Sequence, residues 1–239
     1  MNLQRYLDQK SQRGDQEPRY RQLCTTCLQP VFSCYCRQIR RFNPKIQFVI
    51  LIHPIEFRRR IATGRMSHLC LENSRLIMGQ DYSENTEVNE LIQNPDSHSV
   101  MLYPGAQSLN LTPLSEGERA ARFPSNKDLV IFVIDGTWAT AKKMVYRSRN
   151  LAALSRICFS PPGPSNFRVR KQPEKDCYST IEAIHHTIEL VGASRGFATH
   201  ARDHDKLLSV FDHMVDRQLE WTRLVTERNG GVHYRRVRM

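Results

Sequence analysis

The sequence contains no apolar run approaching the roughly 20 residues that a bilayer-spanning helix needs. Its first residues, M-N-L-Q-R-Y-L-D-Q-K-S-Q-R-G-D-Q-E, hold no apolar leader core, so the expectation is a cytoplasmic protein. The seven cysteines are an odd number, and with no sign of export they make a poor disulfide framework. There is no internal repeat and no low-complexity tract. The first strand-like run, I-Q-F-V-I-L-I at 46–52, leads into H-P-I-E-F and not into G-x-G-x-x-G, which argues against a Rossmann-type cofactor loop. Tryptophan occurs only twice, so where it stands is informative.

Acidic residues are also in deficit, 24 against 35 Lys and Arg, for a formal net charge of +11. That balance points to a polyanionic partner, nucleic acid ahead of an anionic membrane face. The basic residues come in groups: Arg37, Arg40, Arg41 and Lys45; Arg58, Arg59, Arg60 and Arg65; Lys142, Lys143, Arg147 and Arg149; Arg168, Arg170, Lys171 and Lys175; and a tail with Arg235, Arg236 and Arg238. The plain alternative is a soluble protein that happens to be basic, with the Arg58-Arg59-Arg60 run as a solvated face.

What is present suffices for one packed domain: 239 residues, 40% of them hydrophobic. Residues 1–20 are polar and read as a mobile segment, 21–42 as a cysteine-rich module, and 43–239 as the main domain with a long C-terminal helix and a basic tail. Strands are predicted at 46–52, 74–79, 99–105, 129–135 and 155–160. Helices are predicted near 62–71, 138–146, 179–191 (stopped by Gly192) and 203–226. The alternation implies an α/β fold, a mostly parallel sheet with helices on both faces.

The module C-T-T-C-L-Q-P-V-F-S-C-Y-C places thiols at Cys24, Cys27, Cys34 and Cys36. Four thiolates suit tetrahedral zinc in a closed structural site, whose binding energy would fold a segment too short for its own core. The alternatives are scattered cytosolic thiols or a redox C-x-x-C. Cys70, Cys158 and Cys177 read as ordinary thiols. Arg37, Arg40 and Arg41 follow the knuckle and are candidates for RNA contact.

The stretch D-G-T-W-A-T-A-K-K at 135–143 closes the apolar run L-V-I-F-V-I. Ligands of open parallel sheets gather at the carboxyl ends of strands, where Asp135 is expected. Gly136 permits close approach. Thr137 is placed to cap the following helix, leaving the Asp135 carboxylate for other work. Trp138 offers a face for stacking, and Lys142 and Lys143 lie further along the helix. The competing reading makes Asp135 the cap and Trp138 core. The turns Tyr103-Pro104-Gly105 and Pro161-Pro162-Gly163-Pro164-Ser165 follow strands and are candidate cofactor loops, or simple turn chemistry. Ser179 and Glu182 form an S-x-x-E capping box. His53 and Glu56 stand near the first strand's end, where a lone histidine is more often structural. Arg58, Arg59 and Arg60 could hold phosphates or a carboxylate. His185 and His186 read as structural.

The segment D-G-T-W-A-T-A-K-K-M resembles the Asp-x-Thr-Trp signature of the DTW-domain family. The C-x-x-C…C-x-C module is similar to that of its bacterial members. H-P-I-E-F (53–57) with A-T-G-R (62–65), Y-P-G (103–105) and R-K-Q-P…S-T-I-E-A (170–183) also resemble family blocks. The resemblance implies a tRNA-uridine aminocarboxypropyltransferase using S-adenosylmethionine, a SPOUT-related fold with a knotted cofactor region, and a variable-loop uridine as target. It implies a reaction at Asp135, Thr137 and Trp138. Cofactor contacts are expected from Tyr103, Pro104, Gly105, Pro161, Gly163, Ser165, Ser179, Thr180 and Glu182. Zinc is expected at the four thiols, and tRNA at the arginines and lysines named, Arg168 and Arg170 included. Two other classes stay open: a SPOUT-like RNA methyltransferase and a non-catalytic zinc-knuckle RNA-binding protein.

Overall fold

The computed structural model describes residues 22–169 and 177–228. The polar segment 1–20, Arg170 and the basic tail lie outside the described residues. Six strands form one sheet: β1 (Gln47–Ile52), β2 (Ser74–Met78), β3 (Ser97–Leu102), β4 (Leu109–Asn110), β5 (Asp128–Asp135) and β6 (Arg156–Cys158). Their order is β2-β1-β5-β3-β6-β4, and all five pairings are parallel. β1 and β5 are interior strands, each paired on both sides, and their continuous apolar runs are what burial on both faces requires.

The helices are α1 (Pro54–Phe57), α2 (Thr63–Cys70), α3 (Thr86–Gln93), α4 (Glu116–Ala121), α5 (Trp138–Arg147), α6 (Arg149–Ala152), α7 (Thr180–Val191) and α8 (Asp205–Arg228). They cover both faces. Phe48 and Ile50 of β1 and Ile131 and Val133 of β5 pack with Met66, Ile184, Ile188 and Phe211, from α2, α7 and α8. Val49, Leu51, Val130 and Phe132 pack with Val88, Met144, Val145 and Leu151 on the other side. The side chains alternate between layers with the strand period of two. Cys27 and Tyr35 of the cysteine module belong to the first of these cores.

The structure refines several sequence expectations. β3 stops at Leu102 and β6 at Cys158, because the Pro and Gly residues that follow cannot continue a ladder. Short elements escaped the periodicity: α3, capped by the Asn85 side chain accepting from Val88 N at 3.0 Å, and α4, with a Ser115–Glu118 capping box. Gly192 does cap α7, but in a right-handed helical conformation at φ −61°. The left-handed turn falls at Gly196, φ +76°, after one more turn of 3-10 helix.

Where α7 meets α8, His185 Nε2 lies 2.8 Å from Asp205 Oδ1, and His204 Nε2 hydrogen-bonds Glu189. Arg202 donates to both carboxylates at 2.7 Å. His185, His204 and Asp205 approach closely enough to bind an ion, but the guanidinium already answers the negative charge, and we assign none. Burial pushes the pKa of His185 down despite its Asp205 partner, and it does the same to His68, His98 and His186. These rings take up their protons at lower pH in the fold than on unfolding, where they regain their ordinary pKa, about 6.5. Below that pH the unfolded chain binds more protons at these four rings, so their contribution to stability rises with pH up to about 6.5 and is level above it. Glu189 and Asp205 add the same sign at lower pH: burial opposes their charge, but the His and Arg partners outweigh it and hold both below the usual carboxylate range. The Tm is therefore expected to fall as pH drops from 7 to 5, beginning near 6.5. Calorimetry finding a constant Tm across that interval would refute the neutral-histidine account.

Candidate active site

β5 ends on Asp135, whose side chain is buried at 6% exposure. The register puts it opposite Ile52, the last residue of β1, at the carboxyl rim of the sheet. Three elements converge on it. His53 N, just beyond β1, donates to the Asp135 carbonyl at 2.9 Å. Thr180, the first residue of α7, donates its Oγ1 to Asp135 Oδ1 at 2.6 Å. At the start of α2, Gly64 lies so close that a Cβ there would collide with Asp135 Oδ2 and stand 2.8 Å from Cγ. Only glycine lets α2 approach the carboxylate this closely.

Thr137, and not Asp135, caps α5, its Oγ1 accepting from Thr140 N at 3.2 Å. A Cβ at Gly136 would press to 2.7 Å on Thr140 Oγ1. The next residue, Trp138, is 46% exposed, and its Nε1 donates to Cys177 Sγ at 3.1 Å. The indole is thereby tied to Cys177 with part of its surface open, at the first residue of the helix that follows Asp135. Trp138 is not core.

Two loops share this rim. Leu102 pairs with Val133 and Ile157, so the chain leaves β3 at Tyr103 and β6 at Phe159 close to where β5 reaches Asp135. The Tyr103 carbonyl accepts from Ser108 Oγ at 2.7 Å, the Arg156 guanidinium lies 5.7 Å from the Tyr103 ring centre, and Pro104 and Gly105 are exposed. In the second loop Pro161, Gly163 and Ser165 are half-buried. Ser165 Oγ and Asn166 N each donate to Glu182 at 2.7 Å, and Ser179 N and Oγ donate to the same carboxylate at 2.8 and 2.5 Å. Glu182 thus ties this loop to the start of α7 with both oxygens.

A model of the DTW domain matches residues 21–219. The chain belongs to the DTW-domain family. It is 28% identical over 172 residues to the tRNA-uridine aminocarboxypropyltransferase 2 of Drosophila melanogaster, an overlap covering 69% of this chain and 64% of that one. It is 29% identical over 163 residues to the protein of that name in Mus musculus, covering 66% and 53%. It is also 26% identical over 187 residues to tRNA-uridine aminocarboxypropyltransferase A of Arabidopsis thaliana, covering 69% and 70%. The chain therefore spans roughly half to two thirds of the length of the first two relatives. No solved structure matches it.

In this DTW-domain chain the four thiols at Cys24, Cys27, Cys34 and Cys36 form one group. Cys24 Sγ lies 3.7 Å from Cys36 Sγ, and Cys27 Sγ 3.6 Å from Cys34 Sγ. Both separations are far beyond a disulfide bond of about 2.05 Å. They match the edge, roughly 3.8 Å, of a tetrahedron whose centre is 2.3 Å from each sulfur. Backbone hydrogen bonds from Cys27 and Thr26 pull the Cys24 pKa down to about 6, whereas burial pushes Cys27 and Cys36 up. Four sulfurs at this spacing could hold one central cation, and the donor set fits zinc.

Arg65, grouped by the sequence with the basic residues Arg58, Arg59 and Arg60, is buried at 4% exposure. Its Nη1 donates to the carbonyls of Cys27 and Arg59 at 3.4 Å, and its Nη2 to that of Phe57. Burial works against its charge and Asp135 works for it. Arg65 thereby joins the thiol module to the loop after β1, and the rule that arginines stay exposed hid it. The other basic candidates are exposed: Arg37, Arg40, Arg41, Arg58, Arg59, Arg60, Lys142, Lys143 and Arg168. Arg59 pairs with buried Glu56 at 2.9 Å, and Arg168 with Asp216 of α8 at 2.6 Å. His53 caps α1, its Nδ1 accepting from Ile55 N at 3.2 Å, which is a structural task.

Proposed function

We propose that the protein transfers the 3-amino-3-carboxypropyl group of S-adenosylmethionine to N3 of a tRNA uridine in the variable loop, releasing 5′-methylthioadenosine. The observation that carries this reading is Asp135: a buried carboxylate at the sheet rim, gripped by Thr180 and followed in the chain by the half-exposed Trp138, in a chain of the DTW-domain family. Uridine N3 carries a proton at neutral pH, and Asp135 accepts it as the base. S-adenosylmethionine supplies the sulfonium, whose Cγ–S bond breaks as N3–Cγ forms, the electron pair staying on sulfur. The choice of Cγ over the methyl carbon is a matter of positioning. The rim loops containing Tyr103, Pro104, Gly105, Pro161, Gly163 and Ser165 hold this co-substrate, with Ser179 and Thr180 at the start of α7. Glu182 acts by keeping the second loop in place.

A SPOUT-related knotted arrangement is part of this reading. It is supported by the sheet order, in which β6 is inserted between β3 and β4 although residues 103–108 alone connect those two strands. Zinc in the four-thiol module and tRNA phosphates on the exposed arginines complete the proposal, and the cytoplasm is the compartment that suits them.

The test is nucleoside mass spectrometry of tRNA from a strain lacking the gene, paired with the by-product formed by purified protein. Loss of a modified uridine, with methylthioadenosine produced, is the expected result. S-adenosylhomocysteine as the by-product would instead make it a methyltransferase, and an unchanged nucleoside profile with no by-product would leave an RNA-binding module.

A further inference from the structure

We infer that the outer face of α5, carrying Trp138, Lys142 and Tyr146 at successive turns, is the surface along which the unpaired RNA strand enters the site, Tyr146 stacking on a nucleotide next to the target uridine. This rests on the transferase reading above and extends it from Trp138 along α5 to Tyr146, which that reading does not use.

Tyr146 is 87% exposed on a well-formed helix, and Trp138 is 46% exposed. Large aromatic side chains are normally drawn into the core or an interface. The inward face of α5 is already filled by Ala141, Met144 and Val145, so Tyr146 contributes nothing to packing. Residues four apart lie on one face, each step rising about 6 Å, so the stripe runs roughly 12 Å from the indole to the phenol. Between the two rings stands Lys142. Lys143 and Arg147 flank the stripe, and the helix carries no acidic residue. Neither Lys142 nor Lys143 has an ion-pair partner among the described residues.

Aromatic rings interleaved with cations are what a single nucleic-acid strand requires: faces for bases and charge for phosphates. A second copy of the chain is a poor occupant, since two rings separated by an ammonium make no continuous apolar patch and each copy carries +11. A duplex is a poor occupant as well, because a paired uridine hides N3 and must be unstacked at a cost.

The experiment measures transfer kinetics and direct binding of labelled tRNA for Tyr146→Ala, Tyr146→Phe, Lys142→Ala and, as a charge control, Arg75→Ala. Arg75 lies toward the start of β2, away from the rim, paired with Glu87 at 2.7 Å. Tyr146→Ala is expected to weaken tRNA binding roughly 5- to 100-fold, the loss falling on KM for tRNA and not on kcat, with its Tm unchanged. Tyr146→Phe restores binding because stacking needs the ring and not the hydroxyl. Lys142→Ala lowers the slope of log affinity against log salt by about 0.7, and Arg75→Ala changes nothing. Undiminished binding by Tyr146→Ala overturns the inference. So does a Phe variant as weak as the Ala variant, or a concentration-dependent dimer abolished by Tyr146→Ala. If the wild-type protein transfers nothing to any tRNA, the transferase reading fails, while the binding constants still decide the surface.

Discussion

Asp135→Asn is expected to cut aminocarboxypropyl transfer by roughly 10²- to 10⁴-fold, the usual worth of a positioned general base, while tRNA affinity stays within about twofold. The substitution keeps shape and burial. The amide oxygen that replaces Asp135 Oδ1 can still accept from Thr180 Oγ1, 2.6 Å away in the wild type, and the close packing of Gly64 is undisturbed. The capacity to take the N3 proton is removed, together with the negative charge that supports the buried Arg65 guanidinium. Thr180→Val separates holding the carboxylate from proton transfer. A donor that favours the charged form is lost, so the acid limb of kcat against pH moves to higher pH. Single-turnover assays at saturating tRNA check both. Full activity in the amide variant would remove Asp135 as the base.

Much of this site was legible because its parts are local. An eight-residue strand buried on both faces and closed by a carboxylate announces its own end, and Thr137 three residues before Thr140 announces a cap. What could not be read is what packing decides. Nothing in the spacing of Thr180 and Asp135 says that the first turn of α7 meets the end of β5. That meeting follows from α7 lying on the sheet through Ile181, Ile184 and Ile188. Glu182 was legible as half of a capping box, but its grip on Ser165 and Asn166 depends on how the chain returns from β6. Arg65 was indistinguishable from its exposed neighbours, since only the carbonyls around it, from Cys27, Phe57 and Arg59, make burial tolerable. The two-residue β4 is too short to leave a pattern, although the inserted position of β6 depends on it.

Stripping metal from the thiol group is expected to lower the Tm by about 6–20 °C, with zinc restoring it. The module is not an ornament on the surface. Cys27 and Tyr35 are 0% and 1% exposed within the main core, and Arg65 is anchored on the Cys27 carbonyl. The separations of 3.6 and 3.7 Å leave the four sulfurs around one point, where a cation would hold them far more strongly than weak S–H···S contacts do. Collapse of the group would expose part of the core and loosen the cage of Arg65. A loss of about 3–5 kcal/mol is modest against the binding energy of structural zinc, and each kcal/mol moves the Tm of a domain this size by about 2–4 °C. Activity is expected to fall with the Tm, since Arg65 lies within electrostatic reach of Asp135. Elemental analysis should find one zinc per chain in wild type and none in Cys36→Ser. A redox pair predicts the opposite sensitivities: indifference to chelator and a response to reductant. Protein that binds no metal and melts unchanged after chelation would take zinc out of the structure and leave Arg65 to be held by the peptide alone.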